Sequence, residues 1–396
     1  MSDYWIPFLL VLAVIAALLR ADFVLTIIYL LLGVWIFGRI WSRRAIDAIK
    51  VRRSFMPRAF FNERIPVRLE LHNSGFLPVV WLQFSESLPV ELRIGDPAFH
   101  RVVSIGAHDR LTVEYTLEGR KRGYYPIGPL MLYSGDVFGL TGGENRRLQS
   151  DSLTVYPKIL PLTRVVLPSQ SPMGTLRHHQ PIFEDPSRIF GKREYVSGDS
   201  LRRVDWKATA STGRLQVKLF EPSIALETVI FLDLNVEAYE FHSRAGATEL
   251  AIVVAASLAN WVVRLRQSVG LITNGADPFS PDGRAPRLLP RSGRGNLMRI
   301  LDVLARVQAG KEDDLLNLMR RESVHLAWGA TLIVITPQLD EPFFDALFQA
   351  RRSGFDIILV PCGPTPGLQR ARQIADSFGF PLVHILSEQD LDIWRQ

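Results

Sequence analysis

Three hydrophobic patterns divide the chain. The first is continuous. Residues 4–19 are apolar apart from Tyr4 and Pro7, and residues 23–37 form a second apolar run, with Arg20, Ala21 and Asp22 between them. Each run is slightly shorter than the roughly 20 residues a spanning helix uses. Arg20 can snorkel, and Trp5, Tyr29, Trp35 and Trp41 suit the two interfaces. The pattern predicts a two-helix transmembrane hairpin over residues 1–40. The start, Met-Ser-Asp, has no basic stretch and no small-residue cleavage site follows, so a cleaved signal peptide is not expected.

The second pattern has period two and runs from about Val51 to Pro157. VRLELHN (67–73), VWLQFSE (80–86), LTVEYTLE (111–118) and LTVYP (153–157) alternate or run apolar. Turn residues separate them at Asn73-Ser74-Gly75, Gly95-Asp96-Pro97 and Gly106-Ala107-His108-Asp109. Short strands with regular turn signals predict a β-sandwich over 51–160, immunoglobulin-like in shape. Residues 161–189 read as a connector rich in Pro, Ser and His. His178 and His179 are adjacent there, cannot share one face of a helix or strand, and are expected in a solvated loop rather than on a metal.

The third pattern alternates strand and helix after residue 224. LETVIFL (226–232), SVGLITN (268–274), ATLIVIT (330–336), FDIILVP (355–361) and PLVHIL (381–386) read as strands, and RLL (287–289) returns beside the second as a hairpin. Helical patterns occupy 243–267, 297–307, the segment ending at Gly354, and LQRARQIADSFG. Such alternation predicts a mostly parallel, doubly wound α/β sheet of Rossmann type, with ligands bound beyond the C-terminal ends of its strands. Asp233 stands at one such end.

Charge sharpens the first boundary. The net charge is +6, and residues 39–53 hold Arg39, Arg43, Arg44, Lys50, Arg52 and Arg53 against Asp47 alone. The remainder is near neutral, which argues against a nucleic-acid-binding face and for a juxtamembrane collar, placed at 41–50, that meets the lipid bilayer. Positive residues stay inside, so the collar, all that follows it and the N-terminus are expected on the cytoplasmic side of a plasma membrane. A single cysteine, Cys362, fits a reducing compartment.

Residues 190–222 concentrate chemistry. Arg193, Glu194, Tyr195, Gly198, Asp199, Arg202, Arg203, Asp205, Trp206 and Lys207 lie within fifteen residues. Charges at that density suit a paired, partly buried junction. The pattern R-E-Y-x-x-G-D-x-x-R-x-x-D-W-K-x-x-A resembles the signature of the DUF58 family, matching at Arg193, Glu194, Tyr195, Gly198, Asp199, Arg202, Asp205, Trp206, Lys207 and Ala210. The run Arg122, Gly123, Tyr125, Gly128, Pro129, then Asp136, Phe138, Gly139 and Leu140, resembles the family as well. The resemblance implies a von Willebrand factor A-like domain over 190–396 and a working link to a MoxR-type AAA+ ATPase, with other membrane proteins as further partners. It supplies no biochemical activity.

Two chemical readings follow. In a von Willebrand A domain a D-x-S-x-S run holds Mg²⁺. This chain reads Asp233-Leu234-Asn235-Val236-Glu237, with both serines replaced, so only a degenerate, weak Mg²⁺ site is left open at Asp233, Asn235 and Glu237. Asp199 and Asp205 are spaced to serve as a general acid and base. Neighbouring cations favour their ionised forms, which points to ion pairing instead. Arg202 and Asp205 are then expected to fix the start of the α/β domain with Trp206 as apolar anchor, or the cluster is displayed to a partner. No GxSxG elbow, P-loop or HExxH occurs. The expectation is a non-catalytic, membrane-anchored adaptor. The alternatives are a structural cell-envelope protein without an ATPase partner, and a hydrolase using Asp199 and Asp205.

Overall fold

The computed structural model describes residues 11, 14–15, 22–94, 99–135, 144–163, 165, 184–197, 199–222, 227–311 and 314–394. The chain divides after Lys158 into two compact units.

The first unit begins with one long helix, α1 (Asp22–Asp47). Its most apolar 18-residue stretch, within Phe23–Asp47, has a mean hydropathy of 2.2 with 11% of its residues buried, so the helix is long and apolar enough to cross a membrane. Of the first apolar run only Val11, Val14 and Ile15 are described, all helical, and the turn at Arg20 and Ala21 lies outside the described residues. The expected collar is not a separate segment. Arg43 and Arg44 lie in the last turns of α1, because no proline interrupts the helix between Phe37 and Asp47 and Gly38 is tolerated within it, and Lys50 is already in the first strand.

The end of α1 is built into the sandwich. Ala45 and Ile46 enter its core, and Trp41 Nε1 donates to the carbonyl of Pro78 at 3.2 Å. Helix C-termini leave carbonyls without partners. Arg146 supplies them, its Nη1 donating to the carbonyls of Ile46, Asp47 and Ile49 at 3.3, 3.2 and 2.8 Å.

Among the described residues ten strands follow: β1 (Ile49–Ser54), β2 (Arg58–Ala59), β3 (Arg64–Asn73), β4 (Val79–Glu86), β5 (Phe99–Ile105), β6 (Arg110–Glu118), β7 (Gly123–Ile127), β8 (Leu130–Ser134), β9 (Glu144–Arg147) and β10 (Asp151–Val155). They form sheets β1-β3-β6, β2-β10-β7 and β5-β4-β8-β9. Period two sets the register: Ile65, Val67, Leu69 and Leu71 of β3 are buried and the residues between them face out. Leu69 and Leu71 meet Leu82, Phe84, Leu130 and Leu132 across the sandwich. The Asn73 turn is held by its own side chain, whose Nδ2 donates to the carbonyls of Leu77 and Gly106 at 2.8 and 2.9 Å. Gly95-Asp96-Pro97 and Asp136, Phe138, Gly139 and Leu140 lie outside the described residues, as do His178 and His179.

In the second unit β11 (Glu184–Glu194) pairs antiparallel with β12 (Gln216–Pro222), so the expected connector ends inside a strand. The short helix α2 (Trp206–Thr212) lies between them in sequence. The main sheet has the order β15-β14-β13-β16-β17, from β13 (Glu227–Leu232), β14 (Ser268–Thr273), β15 (Leu288–Arg291), β16 (Thr331–Ile335) and β17 (Asp356–Leu359). All pairs are parallel except the edge strand β15. The hairpin expected at 287–289 is this edge.

Residues 381–386 make only isolated bridges, Leu359 to Leu382 and Cys362 to Ile385, rather than the strand expected. Pro361 has no N–H to continue the ladder.

Helix α3 (Arg244–Arg264) is also apolar enough to cross a membrane, but 72% of its most apolar 18-residue stretch is buried; it packs against β13 and β14 and serves as the core helix of this unit. Helices α4 (Arg294–Arg306), α5 (Leu315–Ser323), α6 (Glu341–Arg352) and α7 (Leu368–Phe378) complete the unit. Side chains of α5, α6 and α7 join Val229, Phe231, Leu332 and Val334 in one apolar cluster on a single sheet face.

Candidate functional site

The charged cluster of 193–207 folds at the open end of the β11–β12 pair. Asp199 accepts both guanidinium nitrogens of Arg193, at 2.6 and 2.7 Å, and the backbone N–H of Val196 at 3.0 Å. That closes the Tyr195–Asp199 turn. Gly198, one of the signature positions, lies outside the described residues. Asp205 is the N-cap of α2: its Oδ1 accepts from Ala208 N at 3.1 Å. Its Oδ2 meets Lys192 Nζ at 2.8 Å. Glu194 pairs with Arg214 at 3.0 Å. Gly213 ends α2 in the left-handed region at φ 70°.

Asp205 takes as its cation Lys192, a residue the spacing did not single out. One expectation changes here. Trp206 is not an anchor. It occupies the first turn of a helix with no buried side chain and is 70% exposed. The apolar anchoring comes instead from Val204, bridged to Val217, which are 5% and 2% exposed. The junction is partly buried, as expected: the Asp199 and Asp205 side chains are 19% and 13% exposed, while Arg193 and Lys192 are nearly half-exposed. Val196, Leu201 and Trp206 stand out from the surface, and Arg202, Arg203 and Lys207 are exposed beside them.

The electrostatics are those of a brace. Arg193, with the Val196 N–H, holds the Asp199 carboxyl below its usual value. Lys192, with the Ala208 N–H, does the same for Asp205. A depressed folded value means the contribution is fully present above the unfolded value near 3.8 and is lost as pH falls through the folded value. Below that point the turn and the start of α2 are expected to loosen while the main sheet stays closed. Amide exchange of Val196 and Ala208 as a function of pH checks this; equal protection at neutral and strongly acidic pH contradicts it.

The second candidate is the switch point of the main sheet, where β13 ends at Asp233, 1% exposed. Its Oδ1 accepts from Asn274 Nδ2 at 2.8 Å and from Asn235 N at 3.1 Å, and its Oδ2 accepts from Thr336 Oγ1 at 2.7 Å. Asn274 Oδ1 accepts from Leu234 N at 2.7 Å, and Tyr239 donates its hydroxyl to the Asp233 carbonyl at 2.7 Å. Burial pushes the Asp233 carboxyl up, against the pull of Asn274, Thr336 and Asn235. The sequence pattern did not single out Asn274, although it directly follows β14 beside Asp233 as Thr336 directly follows β16.

These residues do not fit Mg²⁺. A cation needs free oxygen lone pairs converging on one point. Both Asp233 oxygens instead accept from protein donors. The Asn235 side-chain oxygen accepts from Glu237 N at 3.0 Å, and Glu237 turns outward to Lys311 at 3.2 Å. Among the described residues no cluster of three or more His, Cys, Asp or Glu could hold a metal.

The segment that carries both candidates also has known relatives. Residues 191–361 match the family described as "Protein of unknown function DUF58". The DUF58 match takes in every signature position from Arg193 to Lys207 as well as Asp233, Asn274 and Thr336. The "Uncharacterized protein YeaD" of Bacillus subtilis (strain 168) is 27% identical over 168 residues, 42% of this chain and 40% of the relative. The aligned part thus spans less than half the length of that protein.

Among solved structures, the CARDB domain of a Pyrococcus furiosus protein aligns at 13% identity and TM-score 0.21, over 27% of this chain and 91% of that one. Proximal thread matrix protein 1 from the mussel byssus aligns at 11% identity and TM-score 0.31, over 43% of this chain and 46% of that one. At these scores neither likeness bears on fold or function.

Proposed function

We propose that this chain is a non-catalytic adaptor of the bacterial plasma membrane. A transmembrane hairpin ending in α1 anchors it, with both termini cytoplasmic. The first unit is read as an immunoglobulin-like sandwich and the second unit as a degenerate von Willebrand A-like domain. The central strand β13 ending in an acidic residue at the switch point supports the latter. The partner is an AAA+ ATPase of the MoxR type, to which the adaptor presents a second membrane protein.

The observation that carries the proposal is the outward face of 193–207. Its carboxylates are committed to a brace, while Trp206 and flanking arginines are left exposed. Trp and Arg are the residues that most often dominate binding energy at protein interfaces. A hydrolase needs a carboxyl that can exchange a proton near neutral pH. Asp199 and Asp205 are held ionised by Arg193 and Lys192, which counts against that role.

Trp206→Ala is expected to leave stability within about 0.5 kcal/mol of wild type, as for other exposed sites. It is expected to weaken the ATPase complex by about 2 kcal/mol or more, roughly thirtyfold in Kd. The test is a detergent pull-down of the full-length protein from native membranes with ATP and Mg²⁺. Recovery of the ATPase by wild type and loss with the folded variant supports the adaptor. Equal recovery by both moves the interface elsewhere, and recovery by neither favours a structural envelope role.

A further inference from the structure

The outward face of the β1-β3-β6 sheet arranges charge in rows. Register places Lys50 opposite His72 and His72 opposite Arg110; the next row is Arg52, Glu70 and Thr112, and the next Ser54, Arg68 and Glu114. The third row is balanced, since Arg68 and Glu114 pair at 2.8 Å. The first row holds Lys50, His72 and Arg110 with no acid among them. Asp109, adjacent in the turn, gives its Oδ1 to the Arg110 backbone N–H at 2.7 Å. Lys50 and Arg110 flank His72 from the two outer strands, and no carboxylate in the row offsets them. The uncompensated charge therefore rises toward one end of the face, and that end adjoins α1. Lys50 follows the helix by three residues, and Arg43 and Arg44 are exposed on its last turns. A depression of about 370 Å³ lies over the first two rows, between Lys50, Arg52, Glu70, His72, Arg110 and Thr112.

We infer that this row binds the phosphate groups of anionic lipid headgroups. The inference rests on α1 spanning the bilayer. The occupant follows from position: a helix that continues unbroken into the sandwich core holds the first row close beneath the membrane surface. From Arg44 to Lys50 the chain advances on the order of 10 Å, about one Debye length at physiological salt, so the row sits within the reach of the headgroup charge. Arg53 takes no part. Although it belongs to the basic run, its parity on β1 turns it inward, where its side chain is 6% exposed.

The test uses the full-length protein in a neutral detergent, titrated with short-chain phosphatidylglycerol or phosphatidylcholine and read by native mass spectrometry. Wild type is expected to prefer phosphatidylglycerol. Each cation near an anionic surface accounts for roughly fivefold in affinity, so Lys50→Gln with Arg110→Gln is expected to lose roughly thirtyfold. Arg68→Gln, on the same face but in a paired row, is expected to change nothing. Equal phosphatidylglycerol binding by the double variant overturns the inference. So does free glycerol phosphate displacing the lipid at equal concentration, or an acidic peptide binding more tightly than the lipid. Alkaline carbonate extraction of native membranes separates the two claims. Release of the wild type sinks the membrane anchor, whereas retention of both proteins with no lipid preference sinks the headgroup site alone.

Discussion

Glu86→Ala is expected to destabilise the β-sandwich by about 3–5 kcal/mol, the cost of stranding a buried charge. Glu86 closes β4 with a fully buried side chain, and Arg53 reaches it from β1 with 6% of its side chain exposed. Arg53 Nε donates to Glu86 Oε1 at 2.7 Å, Nη2 reaches the same oxygen, and Tyr115 donates its hydroxyl to Oε2 at 2.5 Å. Arg53 also reaches Asp151, which is 55% exposed. Burial works against the Arg53 cation, but Glu86 and Asp151 more than offset it and hold the group charged. Burial likewise pushes the Tyr115 hydroxyl up, so it remains a donor.

Removing Glu86 takes the acceptor from both donors at once and leaves Arg53 with its more exposed partner. Amide exchange in β3, β4 and β8 is the readout, with acceleration of roughly a hundredfold to a few thousandfold expected. Asp151→Ala is expected to cost about 1 kcal/mol or less, as for other solvent-screened pairs. Replacing the whole set, Arg53→Met with Glu86→Leu and Tyr115→Phe, is expected to recover most of the loss, because a buried ion pair is often matched by apolar residues of similar size. If Glu86→Ala exchanges like wild type, the triad carries no stability.

Strand patterns were legible where one face is buried. Alternation located β3, β4, β6 and β10, because a one-residue slip would turn Leu69 and Leu71 out to water. The parallel core strands β13, β14, β16 and β17 were legible as unbroken apolar runs between turn signals. What composition could not assign was direction. Arg53 counts as one of six basic residues until its parity with Ile49 and Val51 is noticed, and then it belongs inside. Trp206 reads as an anchor because Trp is usually buried, yet Asp205 caps the helix at that point and sets Trp206 on its first, outward turn. Lys192 and Arg146 act on partners far along the chain, and spacing holds no signal for such contacts. The resemblance to the DUF58 signature therefore located the candidate site without revealing which of its residues brace and which are displayed.

Asp233→Ala is the second large effect. The carboxylate ties the ends of β13, β14 and β16 together by accepting from Asn274 and Thr336, which are 5% and 1% exposed. Orphaning a buried donor costs about 1–3 kcal/mol. Two side-chain donors give roughly 2–6 kcal/mol, before counting the Asn235 N–H. Asp233→Asn keeps the shape and one acceptor, and its amide can donate to Thr336 Oγ1, so a cost of about 1 kcal/mol is expected.

The pH dependence separates these variants. The folded value of Asp233 is raised, so its contribution to stability is fully present below the unfolded value near 3.8 and is lost as pH rises through the folded value. Wild type should therefore gain on Asp233→Asn as the solution is acidified, the opposite sign to the brace at Asp199 and Asp205. Exchange of the β13 and β16 amides across that range gives the answer, and a constant difference between the two proteins would contradict a raised carboxyl. Adding Mg²⁺ to the same samples tests the closed network. No change is expected, whereas protection of wild type but not of Asp233→Ala would mean that the oxygens open to a cation after all.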